Sequence, residues 1–319
     1  MNVIVTGAAG FIGGRLLQTL AGGYHVKAIV HKLPDANRVS ARNLVEIVCG
    51  DVADAETWTR AGDADAIIAL ACSPRSISLD NPLQDLDVNC KATALGLEHA
   101  RKKRACFIFA SNAGIASNPH TLPVDETFND TPITPYDVHK LASEHLMSVY
   151  SSLHGVRTLT FRLASTYGPG QQCRKEARWH PIIPHFFRLM RDGNTPTIDG
   201  DGEQTRDFVF VDDVVRALLS GLQKLTLEDE AKEITGQMMI LGTSSSVSVN
   251  RVYESIADYL HYSLGARHGP AKPWDVRRMQ YSYAKAASLL DWRPSVTFEK
   301  GLALTLDWLR QATNDATHH

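Results

Sequence analysis

The sequence predicts an α/β fold: a doubly wound parallel sheet carrying a smaller C-terminal lobe for a substrate. Three observations point there. A short β-branched run, Asn2–Thr6, leads at once into a glycine turn, G-A-A-G-F-I-G, and then into an apolar helical pattern through Leu16, Leu17 and Leu20. Further short apolar runs alternate with helical stretches, the spacing of β-α-β units joined by right-handed crossovers. Finally, Gly7, Ala71, Ser111 and Ser165 all fall at the carboxyl ends of such runs, where an open parallel sheet places its ligands.

Length and composition set the frame. The 319 residues suit two domains, and a hydrophobic fraction of 44% with 21% charged residues is ordinary for a globular chain with a sizeable core. A formal net charge of -2 gives no general attraction to nucleic acid or anionic membrane, so anions must be held by a local pocket. The five cysteines are scattered, with no C-x-x-C pair, which reads as reduced thiols. No basic leader precedes the first apolar run and no apolar segment reaches membrane-spanning length, so a cytoplasmic protein is expected.

Taken in order, Asn2–Thr6 is a strand buried on both faces. Gly7, Gly10 and Gly13 follow, permitting a tight turn and close approach of backbone to a ligand. A strand, a glycine turn and a helix set a pyrophosphate against first-turn amides, here those of Phe11, Ile12 and Gly13. The spacing is G-x-x-G-x-x-G rather than the common G-x-G-x-x-G. His25–Val30 is the second strand. Where an acidic residue would hold the adenosine ribose, the chain offers His31 and Lys32, with Arg38 and Arg42 behind. Basic groups welcome a ribose phosphate, which favours NADP or a relaxed choice between NAD and NADP; alternatively both residues are solvated and NAD binds through other contacts.

A third strand over 45–48 runs into Gly50, with Asp51 and Val52 on the cofactor edge. A fourth over 66–70 leads into Ala71, expected at the cofactor, and Ser73, expected at the substrate. A helix over 84–104 ends in a basic run that complements its dipole. The fifth strand, 106–110, stops at Ser111 and Asn112; a helix over 136–154 precedes the sixth, Thr158–Leu163. Residues 1–165 thus form a Rossmann-like dinucleotide-binding domain, with a return segment at about 205–225, and residues 166–319 mainly a substrate lobe. Helices are expected there over 181–191, 283–290 and 298–310.

The helix over 136–154 opens on P-Y-D-V-H-K-L. Tyr136 and Lys140 stand at i and i+4, on one helix face. A free phenol has a pKa of about 10 and is a poor base at neutral pH. A nearby ammonium favours the phenolate, so this spacing supplies a proton-transfer device. Alone the pattern is weak, because such pairs are common on surfaces; the glycine turn gives it context. His180 and His185 flank two prolines without a supporting cysteine or carboxylate cluster, so no metal site is read. Arg174 and Arg178 suit a phosphate clamp or a solvated loop, and Trp274 a base-stacking or packing role.

These motifs together resemble the extended short-chain dehydrogenase/reductases, in particular the NAD-dependent nucleotide-sugar epimerases and dehydratases, which include UDP-glucose 4-epimerase. The resemblance runs through G-A-A-G-F-I-G, Y-D-V-H-K, Y-G-P-G-Q at 167–171, G-D-G-E-Q-T-R-D-F-V-F-V-D-D at 200–213 and P-W-D-V-R-R at 273–278. It implies that Tyr136 takes a proton from a sugar hydroxyl while hydride passes to a nicotinamide. It implies too that Lys140 lowers the tyrosine pKa and holds the cofactor ribose. Arg206 and Asp275 match positions that grip a nucleotide diphosphate and its ribose, and Lys272 stands where relatives often carry arginine. A Ser or Thr after the fifth strand usually bonds the reacting oxygen; here that place falls to Asn112 ungapped, or to Ser111 with a one-residue gap. Ser165 replaces a frequent asparagine. A homodimer through the helices near 84–103 and 136–154 is implied as well. Three functions stay open: a nucleotide-sugar epimerase working through a keto intermediate, an NADP-dependent ketosugar or small-carbonyl reductase, and a non-catalytic NAD(P)-sensing protein.

Overall fold

The computed structural model describes every residue except 21, 33–34, 36–38, 40–44, 174–179, 273–274 and 317–319. The strands are β1 (Asn2–Thr6), β2 (His25–Val30), β3 (Val45–Cys49), β4 (Ala66–Ala69), β5 (Cys106–Asn112) and β6 (Thr158–Leu163). A further strand, Gln237–Leu241, lies beyond β6, and all neighbours in this seven-stranded sheet are parallel. From that edge the order runs Gln237–Leu241, β6, β5, β4, β1, β2, β3. The chain leaves β1 for β2 and β3 on one side and then crosses to β4 on the other. The strand order therefore reverses between β1 and β4, whose carboxyl ends open a crevice.

Alternation along the strands feeds two apolar layers. Val3 and Val5 join Leu16, Leu17 and Leu20 of the helix Phe11–Leu20, and Val214 and Leu218 of the helix Val211–Thr226. Ile4, Ile67, Phe107 and Phe109 face the other way, toward Trp58, Leu97 and Met147. Both faces of the sheet are covered, which is why its strands read as continuous apolar runs rather than alternating ones. A third cluster, with Tyr167, Phe187, Phe210, Val252 and Leu306, is built from the C-terminal half. The helix Val211–Thr226 nonetheless packs on the first layer, and Arg15 donates to Asp212 at 2.8 Å across it.

The long helix expected over 84–104 is interrupted. A short helix Arg75–Asp80 comes first, then Pro82–Leu86, a π-helical turn over Asp87–Lys91, and the helix Ala92–Lys103. The cause is a buried polar knot. Asn89 donates to Asp85 Oδ1 at 2.8 Å and to the Ser73 carbonyl at 3.0 Å, and accepts from the Ser73 amide at 3.2 Å. Its own carbonyl accepts the Ser143 hydroxyl at 2.6 Å. Pulling Asn89 inward to satisfy these groups costs an extra residue in the turn, and a π-bulge absorbs it.

The helix Pro135–His154 starts under tight local control. Thr134 is its N-cap and forms a capping box with Asp137, Pro135 fills the first turn, and Gly155 ends it at φ 64. Two turns further along, Glu144 accepts from Arg162 of β6 at 2.6 Å, and Arg162 also makes two bonds to Asp130, at 2.6 and 2.7 Å. Paired on both sides, the buried guanidinium pins helix, strand and loop into one frame. That frame fixes the rotation at which Tyr136 leaves the helix.

Candidate active site

The glycine turn sits at the carboxyl end of β1, against the end of β4. Gly7 has φ +65, and a Cβ there would lie 2.7 Å from the backbone of Leu70 and Ala71. Thr6 ties the two strand ends by accepting from the Leu70 amide at 3.1 Å and the Ala71 amide at 3.0 Å. A Cβ on Gly13 would lie 2.3 Å from the Gly7 carbonyl, so helix and turn can meet this closely only without side chains. The first-turn amides of a helix have no partner within it, and here they face the crevice end of the sheet. This bare cradle fits a dinucleotide pyrophosphate. Around it, His31 and Lys32 are exposed after β2, and Asp51 is exposed after β3 with a carboxylate oxygen accepting the Ala53 amide at 2.9 Å. Val52 is half-buried and packs into the second apolar layer, as Ile12 packs into the first.

Beside the turn lies a cavity of about 620 Å³ whose wall includes Phe11, Asn112, Tyr136, Ser165 and Arg206. Five candidates named from the sequence thus converge on one space. Arg206 pairs with Asp275 and donates to the Val276 carbonyl at 2.8 Å. Next to it, the buried Asp207 braces the strand by accepting from the Thr243 amide and hydroxyl and the Tyr281 amide, at 2.9, 2.7 and 2.9 Å. Burial pushes the Asp207 carboxyl up to about 6, against the pull of those hydrogen bonds.

Asn112 resolves into a definite geometry. Its Oδ1 accepts the Gly114 amide at 3.0 Å, capping the short 3-10 turn Ala113–Ala116. An N–H donor requires the amide oxygen as acceptor, so the side-chain NH2 is the part left for the cavity. In Asn112 the cap on the 3-10 turn and an amide NH2 free of it therefore coexist. Ser111 is buried, is not part of the cavity wall, and gives its hydroxyl to Glu144.

Two other expectations require correction. Ser73 is buried in the Asn89 knot and does not line the cavity. Lys272 is exposed and pairs with Asp199 at 2.7 Å, also away from the wall. Lys140 is 2% exposed; its ammonium donates to the Ala110 carbonyl at 2.9 Å and lies 4.5 Å from the Phe109 ring centroid. Tyr136 and Lys140 both lie in the first two turns of the helix Pro135–His154, and the lysine reaches the carbonyl of the neighbouring strand β5. Burial pushes the Tyr136 phenol well above its ordinary range; Cys72 acts in the same direction, as Asp137 does, while Arg75 pulls it down.

Arg75 and Cys72 are site residues that sequence reasoning missed. Both line the cavity; Cys72 Sγ lies 3.6 Å from the Tyr136 oxygen and the Arg75 guanidinium 5.9 Å from the ring centroid. Their position just past Ala71 at a strand end was the available signal. His180 and His185 stack with centroids 5.1 Å apart, and among the described residues no group of three or more metal-ligating side chains occurs. Arg38, Arg42, Arg174, Lys175, Arg178 and Trp274 lie outside the described residues. Among the described residues, no helix is long and apolar enough to cross a membrane.

Comparison with known proteins gives a consistent result. The family model of the NAD dependent epimerase/dehydratase family matches residues 3–234. The chain is 30% identical to the UDP-glucose 4-epimerase of Mycolicibacterium smegmatis, covering 97% of this chain and 99% of that one. Among solved structures, the UDP-glucose 4-epimerase of Thermotoga maritima with UDP-glucose superposes with a TM-score of 0.88 at 29% identity, covering 98% of this chain and 100% of that one. The UDP-glucose 4-epimerase of Thermus thermophilus in complex with NAD gives a TM-score of 0.85 at 28% identity, again covering 98% and 100%.

Proposed function

The chain belongs to the NAD dependent epimerase/dehydratase family, and from that membership and the cavity we propose that it is a 4-epimerase of a UDP-activated hexose. The observation that carries the reading is that Tyr136, Asn112 and Arg206 line one cavity beside a glycine cradle. Gly7, Gly10, Phe11, Ile12 and Gly13 hold the pyrophosphate, and Asp51, Val52, Ala71 and Lys140 flank the rest of the cofactor. NAD, when bound, supplies a nicotinamide ring that takes hydride from the sugar carbon and returns it. Tyr136 takes the proton of the C4 hydroxyl as that carbon becomes a carbonyl, and gives it back on return. Asn112 donates to the oxygen while it bears developing charge. Arg206, held by Asp275, binds the diphosphate, whose remote binding energy keeps the ketosugar in place while it turns its other face. The division between cofactor domain and substrate lobe falls near residue 165 in this reading.

The family's NAD dependence weighs against the NADP preference drawn from His31 and Lys32. A reductase of ketosugars remains the second reading, on the strength of Asn112 standing where a hydroxyl is usual. One assay separates the two. Purified protein with UDP-, dTDP-, GDP- and CDP-hexoses, followed by proton NMR, is expected to interconvert a UDP-hexose and its C4 epimer to equilibrium without net NADH. Stoichiometric NAD(P)H consumption with an accumulating alcohol would establish the reductase, and cofactor binding with no turnover the sensor.

We place a homodimer on the helices Pro82–Leu86, Ala92–Lys103 and Pro135–His154. Leu83 is 72% and Leu153 74% exposed on these helices. Light scattering is expected to give twice the chain mass, falling to one chain in Leu83→Asp/Leu153→Asp. A monomeric parent protein removes the assignment.

A further inference from the structure

Among its described residues the cavity wall carries two charged side chains, Arg75 and Arg206, both positive, and no Asp or Glu. The two cations are anchored alike. Arg206 pairs with Asp275 and Arg75 with Asp137, and neither carboxylate is part of the wall. Asp137 is fully buried, and its second oxygen accepts the Thr134 amide at 3.1 Å and hydroxyl at 2.7 Å in the capping box. With Arg206 assigned to the diphosphate, one cation is left for a second anion. A guanidinium has five N–H donors, and the described hydrogen bonds of the Arg75 side chain use one of them, on Nη2. Gly114, on the same wall, locates this group along the sugar: a Cβ there would lie 3.4 Å from Arg75 Nη2 and 3.1 Å from Asn112 Nδ2. The guanidinium therefore stands beside the amide assigned to the C4 oxygen.

We propose that the sugar is a hexuronate and that Arg75 is the residue that selects it, by holding the C6 carboxylate next to the reacting carbon. C6 hangs from C5, the ring neighbour of C4, so a group on it lies near the C4 oxygen rather than the C1 diphosphate. A hexuronate carries an ionised carboxylate there at neutral pH, where a neutral hexose carries a hydroxyl. A carboxylate accepts two parallel N–H bonds from a guanidinium fork, a geometry that a hydroxyl cannot use. The charges then match, with two anionic groups on the substrate and two cations on the wall. A neutral hexose would leave Arg75 with no anion but the one that anchors it. The inference rests on reading this cavity as that of a UDP-sugar 4-epimerase. An Arg75 that only ties the helix Arg75–Asp80 to the helix Pro135–His154 would change stability without distinguishing one sugar from another.

The test is a ratio of affinities, which general damage to the fold leaves in place. Calorimetric titration of the NAD-loaded Tyr136→Phe protein, in which turnover does not intervene, compares UDP-glucuronate with UDP-glucose. The uronate is expected to bind about ten- to hundredfold more tightly, the worth of a hydrogen bond to a charged group. Adding Arg75→Gln should bring the two affinities within about threefold of each other. That substitution leaves the Asp137 carboxylate unpaired, and its charge could itself repel an anion, so Arg75→Gln/Asp137→Asn serves as the second variant; its ratio should collapse in the same way. Equal binding of the two sugars before Arg75 is changed, or either variant keeping the original preference, overturns the proposal. In turnover, kcat/KM for UDP-glucuronate over UDP-glucose in the parent protein should show the same preference and lose it in both variants. If the parent protein turns over neither sugar, the epimerase reading fails, and the binding ratios still decide the role of Arg75.

Discussion

Tyr136→Phe is expected to lower turnover of the nucleotide sugar by about three orders of magnitude, within the range for losing a positioned acid–base group. Fold and cofactor affinity should stay as they are. The substitution deletes one oxygen whose described neighbour is the Cys72 thiol, at the long distance of 3.6 Å, while the ring keeps its place against Arg75. No strong hydrogen bond is broken, and no buried partner is left unsatisfied. Burial holds the phenol protonated well above its ordinary range without ligands, so the base form must be recruited by positive charge once the site is filled. The sign follows: kcat rises with pH as the phenolate is reached, and Tyr136→Phe should lose that rise along with the rate. Steady-state NMR kinetics from pH 6 to 10, with NAD affinity and thermal unfolding as controls, measure this. A variant within threefold of the parent would remove Tyr136 from the chemistry.

The sheet was legible because its determinants are local. Ile4, Ile67 and Phe107 are 0% exposed, and strands covered on both faces must be apolar at every position, which a sequence displays directly. The glycine turn was legible for the same reason, since Gly7 and Gly13 answer a backbone constraint rather than a distant contact. What escaped depends on partners far along the chain. The π turn at Asp87–Lys91 exists because Asn89 reaches Ser73 and Asp85, and nothing in helical periodicity signals that extra residue. The strand Gln237–Leu241 borrows its neighbours from β6 and its Ile240 amide bonds the Glu126 carboxylate at 2.8 Å, so a short Met-Met-Ile-Leu run gave little notice. At the site, spacing placed Tyr136 and Lys140 on one face correctly but could not say how far an extended lysine travels. Its ammonium settles on the Ala110 carbonyl, while the Tyr136 ring has the Arg75 guanidinium 5.9 Å from its centroid, from a different element.

Gly13→Ala should be the most damaging single-methyl change in the cofactor domain. The added Cβ would stand 2.3 Å from the Gly7 carbonyl oxygen and 2.9 Å from the Ala8 Cα, both backbone atoms that cannot rotate away. The helix Phe11–Leu20 would have to back off from β1 by about an ångström, yet Leu16, Leu17 and Leu20 are at most 1% exposed and bind it to the core. Alanine gains up to about 1 kcal/mol of helix propensity over glycine, while overpacking costs about 1–3 kcal/mol and more where backbone opposes it. A net loss of about 2 kcal/mol lowers Tm by about 3 °C for a chain of this size. The same retreat carries the first-turn amides away from the pyrophosphate, so NAD binding should weaken, and a misplacement near 1 Å at the nicotinamide end costs about a hundredfold in turnover. Gly14→Ala is the internal control: its Cβ would meet nothing nearer than the Ala8 carbonyl at 4.0 Å, so the propensity gain should stand alone and Tm should hold or rise slightly. Calorimetry and NAD titration on the two variants separate a requirement for close backbone approach from a mere preference for small residues. Equal losses in both, or none in Gly13→Ala, would mean that the cradle does not depend on the contact between Gly13 and Gly7.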